Sequence, residues 1–395
     1  MQLFKDNKTL VIIAIIAVVN ALGYGIIIPI LYSYSLKFGL SDFQNGLLFA
    51  LFSVCQFLST PIIGRLSDKF GRRPLLLLSL LGTALSFLTM AFAPSAAFLF
   101  LARALDGITA GNIPVASAVI SDTTAPKDRA KGFGIIGASF GFGFIFGPAI
   151  SAFTVSYSPS APFLIAAGIA LLATILTALF LPETNAHMGQ VPSGELFHFK
   201  KMAAAVTEQN VGPTLLITLF YAFAFSMFIY AFQPFSIKIL HLTAHEISLL
   251  FTIFGVIGLF AQLFIVPNMT KLLGLKKSYS LSIGVTSLAF LAYFFIRSLP
   301  LFIAASVVMG LFSNVINPLT QTILSRETDE KSQGSIQGLN ASYMSVGQII
   351  GPIVGGIIAS FMIPGPFLFG SLCILTCFFL SRKVLHPATK KESAF

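Results

Sequence analysis

The chain has 395 residues, of which 56% are hydrophobic and only 10% charged, and it carries a formal net charge of +10. A soluble domain carries about 25% charged residues, so a soluble fold of this length is excluded. In a soluble protein the positive charge would point to nucleic acid, but its distribution along this chain excludes that reading.

Residues 1–9 are polar and include Lys5 and Lys8. The apolar run that follows is longer than the roughly 7–15 residues of a signal-peptide core, so it reads as a retained first span. At roughly 20 apolar residues per crossing, spans are expected at about 9–32, 42–64, 73–93, 96–121, 130–154 and 160–182. A second set follows at about 211–237, 245–267, 276–296, 300–323, 335–360 and 365–385 on the same criterion. Several spans contain proline (Pro29, Pro114, Pro148, Pro234, Pro318, Pro352). Membrane helices tolerate this because neighbours satisfy the freed backbone groups. The longest polar stretch, 183–210, follows Pro182 and reads as a linker. The expected architecture is therefore all-α and membrane-integral, with twelve spans in two six-helix bundles, 1–182 and 211–395.

The halves repeat at a shift of about 204 residues. Gly134, Gly143, Gly147 and Pro148 recur as Gly338, Gly347, Gly351 and Pro352, and Ser121 recurs as Ser325. Parallel six-span repeats with a substrate site near the midplane are a known transporter plan. With the N-terminus in the cytoplasm, all but four of the 24 basic residues fall on the cytoplasmic side. Lys37, Lys238 and Arg297 fall outside, and Arg103 falls within a span. Basic residues concentrate in cytoplasmic loops, so both termini are expected there. The three cysteines, Cys55, Cys373 and Cys377, sit in apolar runs, and none of the five histidines is deep in a span. No disulfide framework and no metal site are expected.

Residues 64–73 read Gly-Arg-Leu-Ser-Asp-Lys-Phe-Gly-Arg-Arg. This resembles the signature loop between the second and third helices of the major facilitator superfamily. LARALDGITAGN at 101–112 resembles that family's fourth-helix motif with its embedded arginine. GIIGASFGFGFIFGP at 134–148 resembles the fifth-helix motif of its drug/proton antiporters, and 317–352 is similar to helices ten and eleven of tetracycline-exporter-like members. The resemblance covers nearly the whole chain and implies the major facilitator fold and proton-coupled export of a small molecule. It departs at Asn20, where tetracycline exporters carry an acid, so tetracycline itself is not the expected substrate.

Among the fourteen acids only Asp106 falls deep in a span, and only Arg103 is a comparably deep base. A charge at a helix centre costs roughly 2.5–3.5 kcal/mol. The i, i+3 spacing lets the two share a helix face and pair. The pair is either a permanent structural contact or a proton site whose carboxylate Arg103 tunes. Asn112, Asn20 and Gln233 are candidate cavity residues. The resemblance implies a cytoplasmic gate made of Gly64, Asp68, Gly71, Arg72, Arg73 and Asp122. Gly143, Gly147 and Pro148, with Gly351 and Pro352, serve either packing or helix bending. No phosphate-binding Gly-rich loop ending in Gly-Lys-Ser/Thr occurs, and no nucleophile–His–acid set is visible, so direct ATP use and enzymatic catalysis are not expected.

The expected function is proton-driven export of hydrophobic or cationic drug-like molecules by a monomer in a bacterial inner membrane. The expectation includes no cofactor, with protons as coupling ion, and no nucleic-acid partner. A metabolite, siderophore or sugar carrier of the same fold is the alternative, and a non-transporting receptor or scaffold a further one.

Overall fold

The computed structural model describes residues 2–124, 129–186, 188–189, 199–208, 210–329 and 332–385. Lys127, Lys331, Lys390, Lys391 and the middle of the expected linker, 190–198, lie outside them. Hydrocarbon offers no hydrogen-bonding partners, so a spanning segment must satisfy its backbone internally. The described residues are accordingly almost all helical. Among the described residues eleven helical stretches, including the broken Ala96–Thr123 and Ala244–Leu273, are long and apolar enough to cross a membrane, and a further helix, Gly365–Ser381, is apolar and 17 residues long.

In chain order the helices are α1 (Gln2–Ile27), α2 (Leu31–Ser35), α3 (Asp42–Phe70), α4 (Arg72–Ala91), α5 (Ala96–Thr109), α6 (Asn112–Thr123), α7 (Arg129–Val155) and α8 (Ala161–Phe180). They continue as α9 (Phe199–Val206), α10 (Gly212–Lys238), α11 (Ala244–Phe260), α12 (Val266–Leu273), α13 (Leu275–Phe295), α14 (Leu299–Glu327), α15 (Gln333–Phe361) and α16 (Gly365–Ser381). α1 stops two residues before Pro29, short of the expected 32. α3, the α11–α12 span and α14 run past their expected ends, because a helix needs no apolar side chains once it leaves the hydrocarbon. α11 and α12 are joined by a π-helical turn, Ala261–Ile265. Pro267 has no N–H, and its ring would collide with the carbonyl of Leu263, so one widened turn just before it keeps the helix continuous.

The chain forms two compact units. One holds 1–40, 51–197 and 242–255; the other holds 41–50, 198–241 and 256–395. The first turns of α3 thus group with the second unit and those of α11 with the first. In the first unit α1 packs along α7, and α4 lies between α5 and α8. Ile13, Ile16, Leu76, Leu80, Val115 and Val119 form its apolar core. In the second unit α10 packs along α15, and α13 along α14 and α16. Part of the expected linker is helical here: α9 packs Ala205 and Met202 against Leu215, Leu339 and Tyr343, and the Tyr343 hydroxyl donates to the Met202 carbonyl at 2.6 Å.

Of the repeated glycines, Gly143 and Gly147, with Gly347 and Gly351, sit where these pairs of helices touch, whereas a β-carbon on Gly134 or Gly338 would meet nothing within 4 Å. A β-carbon on Gly147 would fall 2.7 Å from the Gly25 α-carbon, and one on Gly143 would overlap Ala21. Gly347 and Gly351 stand in the same relation to Phe223 of α10. Both helices remain α-helical through Pro148 and Pro352. Most of the aromatic residues of α10 pack internally: Phe228, Phe232 and Phe235 are buried against Phe290, Tyr293, Phe302 and Phe367.

Overpacking a tight contact costs about 1–3 kcal/mol. Gly143→Val is expected to lower the thermal midpoint of the purified protein by that destabilisation. Gly137→Val, whose β-carbon meets nothing within 4 Å, is expected to leave the midpoint unchanged in the same melt.

Candidate functional site

Two charged clusters lie in the first unit. The deeper one is built where the fourth span breaks. α5 ends at Thr109 and α6 begins at Asn112, with Ala110 and Gly111 in a turn between them. A β-carbon on Gly111 would press on Thr60 and Ile63, so the break also brings this span close to α3. One turn earlier, Arg103 and Asp106 are only 4% and 7% exposed. Arg103 Nη1 donates to Asp106 Oδ2 at 3.0 Å. The guanidinium carbon lies 4.5 Å from the centre of the Phe52 ring, a cation–π contact strengthened where water is excluded. Tyr24 packs on Phe52 with ring centres 6.1 Å apart, and on Phe144 at 5.9 Å. Gly107 makes this roof possible, because a β-carbon there would overlap the Phe52 carbonyl. The Ser59 hydroxyl donates to the Gly107 carbonyl at 3.2 Å across the same contact.

Asn112 Nδ2 donates to Asn20 Oδ1 at 3.1 Å, and Asn20 Nδ2 donates to the Ile16 carbonyl at 2.8 Å. Two of the sequence-chosen residues are therefore in direct contact. Among the described residues, Arg103 Nε and Asn112 Oδ1 are buried without a hydrogen-bond partner. Each such orphan costs about 1–3 kcal/mol, so both groups favour a polar visitor, water or ligand. Gln233 is fully buried in the second unit.

The second cluster surrounds the α3–α4 loop. Arg72 joins Asp68, Asp122 (3.3 Å to Oδ2) and the Ser67 hydroxyl (2.6 Å). Asp68, Arg72 and Asp122 thus form one network. A β-carbon on Gly64 would meet nothing within 4 Å. Sequence reasoning missed the residue that closes the cluster. Glu183, read only as the start of a linker, caps the N-terminus of α4. Its carboxylate accepts the N–H of Arg72 at 2.9 Å and of Arg73 at 3.1 Å, and those of Thr184 and Asn185 at 2.9 Å each. Burial pushes its pKa up, but these four backbone donors outweigh burial and hold the carboxyl below its usual range. Gly71 adopts φ 103°, and a β-carbon on it would overlap the Glu183 carboxylate; only glycine serves there. Asn185 Nδ2 donates to the Asp68 carbonyl at 3.0 Å, at the end of α3, and Arg73 donates to the Ala178 carbonyl near the end of α8. The available signal was an acid just past the sixth span, since helix N-termini attract anions.

A third contact, in the second unit, was also missed. Lys238 Nζ lies 2.8 Å from both oxygens of Asp42, and the Tyr230 hydroxyl donates to the Asp42 carbonyl at 2.6 Å. Lys238 was one of the few bases placed on the external side.

Among the described residues, apolar helices long enough to cross a membrane enclose a deep ion pair and end in a charged cluster, the architecture of a multi-span membrane protein. The sequence profile of the Major Facilitator Superfamily matches residues 13–213 and again 214–395, and the chain belongs to that family. It is 31% identical to the class B tetracycline resistance protein of Escherichia coli, over 91% of this chain and 90% of that one. It is 29% identical to the class H tetracycline resistance protein of Pasteurella multocida, over 97% and 98% of the two chains. Multidrug resistance protein 1 of Bacillus subtilis is 30% identical over 98% and 99%. Among solved structures, the human organic anion transporter MFSD10 (TETRAN) superimposes with a TM-score of 0.70 at 22% identity, over 95% of this chain and 99% of that one. A bacterial homologue of the human lysosomal transporter Spinster reaches 0.77 at 16%, over 96% and 98%. These likenesses are to the fold.

Removing one partner of a buried ion pair costs about 3–5 kcal/mol, whereas replacing both with apolar residues is often neutral. Arg103→Leu is expected to lower the unfolding midpoint sharply, and Arg103→Leu with Asp106→Leu to restore most of it. Glu183→Ala is expected to cost about 1 kcal/mol at neutral pH, the loss typical of a helix cap. The depressed carboxyl stabilises the fold above its unfolded pKa, and that contribution disappears as pH falls through the folded value. Melts of wild type and Glu183→Ala should therefore converge in acid.

Proposed function

We propose that this chain is a proton-coupled secondary exporter of small hydrophobic or cationic drug-like molecules. The observation that carries the reading is the buried Arg103–Asp106 pair, with a partnerless guanidinium nitrogen, in a chain whose relatives at about 30% identity are named tetracycline and multidrug resistance proteins. Asp106 is the exchange point. Protonation neutralises it and weakens its hold on Arg103, which the Phe52 ring continues to shelter. A cationic substrate and a proton compete for the same carboxylate, which makes their movements opposite. Asn20, Asn112 and Gln233 supply uncharged polar contacts for the substrate.

The bundles 1–182 and 211–395 alternate access, joined through 183–210. Asp68 at the end of α3, Arg72 and Arg73 at the start of α4 and Asp122 at the end of α6, with Gly64 and Gly71, lock the cytoplasmic side. Gly143, Gly147 and Pro148, with Gly351 and Pro352, let α7 and α15 flex while staying in contact with α1 and α10. The protein acts as a monomer in the bacterial inner membrane, both termini cytoplasmic, without cofactor or catalysis, with protons as the coupling ion.

The test is uptake of a panel of cationic and neutral drug-like compounds into liposomes holding a pH gradient. Wild type is expected to accumulate at least one cation. Asp106→Asn is expected to lower gradient-driven flux by about 100-fold, within the range that removal of a proton-transfer group costs. Unchanged flux in the mutant would overturn the assignment of Asp106. Movement of sugars or other metabolites alone would favour a carrier of the same fold.

A further inference from the structure

The second unit contains its own version of the α3–α4 loop, with the charges reversed. In the first unit α3 ends at Phe70, Gly71 takes φ 103° and ψ 156°, and α4 begins at Arg72. In the second, α12 ends at Leu273, Gly274 takes φ 78° and ψ 164°, and α13 begins at Leu275. Counted from these glycines, Lys271 stands where Asp68 stands, and Leu275 stands where Arg72 stands. The other wall matches as well. α6 ends before Thr124 and α14 before Thr328, both extended, at φ −120° and −123°, so Arg326 corresponds to Asp122. The acid–arginine–acid set has become cation–leucine–cation.

Lys271, Leu275 and Arg326 line one cavity of about 570 Å³, together with Pro267, Gly274 and Leu319. Among the described residues neither the Lys271 nor the Arg326 side chain makes a hydrogen bond or ion pair. The adjoining helix start also differs. In the first unit the leading N–H groups of α4 are met by the Glu183 carboxylate. α13 has no side-chain cap, and its first helical bond runs from Ser278 to Gly274. The leading N–H groups of α13 thus have no acceptor within the helix. The backbone geometry that holds an anionic group in one unit adjoins two unpaired cations in the other.

We propose that this cavity binds the phosphate of an anionic phospholipid headgroup. A helix start and two cations together recognise phosphate. With two cations and no acid among its lining residues, the cavity prefers a net-negative headgroup to a zwitterionic one. The apolar floor of Val266, Pro267, Leu275 and Leu319 suits the glycerol end of a lipid. The α12 and α14 spans both end here, at the boundary where headgroups sit.

The test is native mass spectrometry of the full chain in neutral detergent, titrated with phosphatidylglycerol, phosphatidylcholine or inorganic phosphate. Phosphatidylglycerol is expected to remain bound. Its affinity is expected to fall about tenfold or more in Lys271→Gln with Arg326→Gln, since each cation near an anionic lipid contributes about 1 kcal/mol. Arg382→Gln, at the end of α16, should leave affinity unchanged. Lys271→Gln alone, expected to lose a smaller part, covers the case of a poorly folded double variant. Lipid affinity unchanged in both variants overturns the site. Phosphatidylcholine retained equally well overturns the anionic selectivity, and inorganic phosphate competing as tightly as lipid overturns the lipid assignment.

Discussion

A guanidinium and a carboxylate held inside a membrane span have to satisfy one another, and the first unit is arranged around that requirement. Either charge alone at such depth costs roughly 2.5–3.5 kcal/mol. The i, i+3 spacing supplies one contact at 3.0 Å. The rest of the shelter comes from α3, whose Phe52 ring covers Arg103. That cover demands close approach of two helices, which Gly107 permits and Ser59 pins. The approach in turn accompanies the break at Ala110–Gly111, after which Asn112 points to Asn20. The pair, its roof and the polar contact beyond it are consequences of one burial problem.

Helix ends pose the complementary problem, because each leaves backbone groups without partners. The first unit solves it by pairing ends: Glu183 covers the start of α4, Asn185 the end of α3, and Arg73 reaches a carbonyl near the end of α8. The second unit has a related device. Glu327, at the end of α14, accepts the Thr214 hydroxyl from α10 and the Leu385 N–H beyond α16, each at 2.8 Å. In both units an acid at one terminus ties down a segment remote in sequence, so charge-assisted hydrogen bonds hold these segments in addition to apolar packing.

The spans were legible because apolar length is a one-dimensional signal. Arg103–Asp106 was legible because its partners are three residues apart. The Asp68–Arg72–Asp122 network was readable only through family resemblance, since Asp122 lies 50 residues from Arg72. Glu183 and the Asp42–Lys238 pair stayed hidden for the same reason without that help. Their partners are 111 and 196 residues away, and a lone acid near a loop has no periodicity to betray it. The helix break carried a weak mark, Ala-Gly-Asn, inside an otherwise continuous apolar run. The glycines of α7 and α15 were visible as a repeat, but their closeness to α1 and α10 is a three-dimensional fact that spacing alone does not encode.

That repeat separates two layers of inheritance within the chain. Backbone requirements recur: the left-handed glycines at 71 and 274, and the contact glycines at 143 and 347 and at 147 and 351. They recur because each marks a place where a side chain would collide or strain the turn. The chemistry of the deep site and of the loop does not recur. The first unit keeps a deep ion pair and an acid-rich loop; the second fills the corresponding depth with packed rings around Phe228 and turns the loop basic. Packing geometry tolerates little change, since a single β-carbon in the wrong place disturbs two helices. Charge at a loop or in a paired site can be exchanged once the partner group changes with it. The unlike halves of this chain therefore share one scaffold while dividing its chemistry, with the titratable centre on one side and an apolar core with a cationic rim on the other.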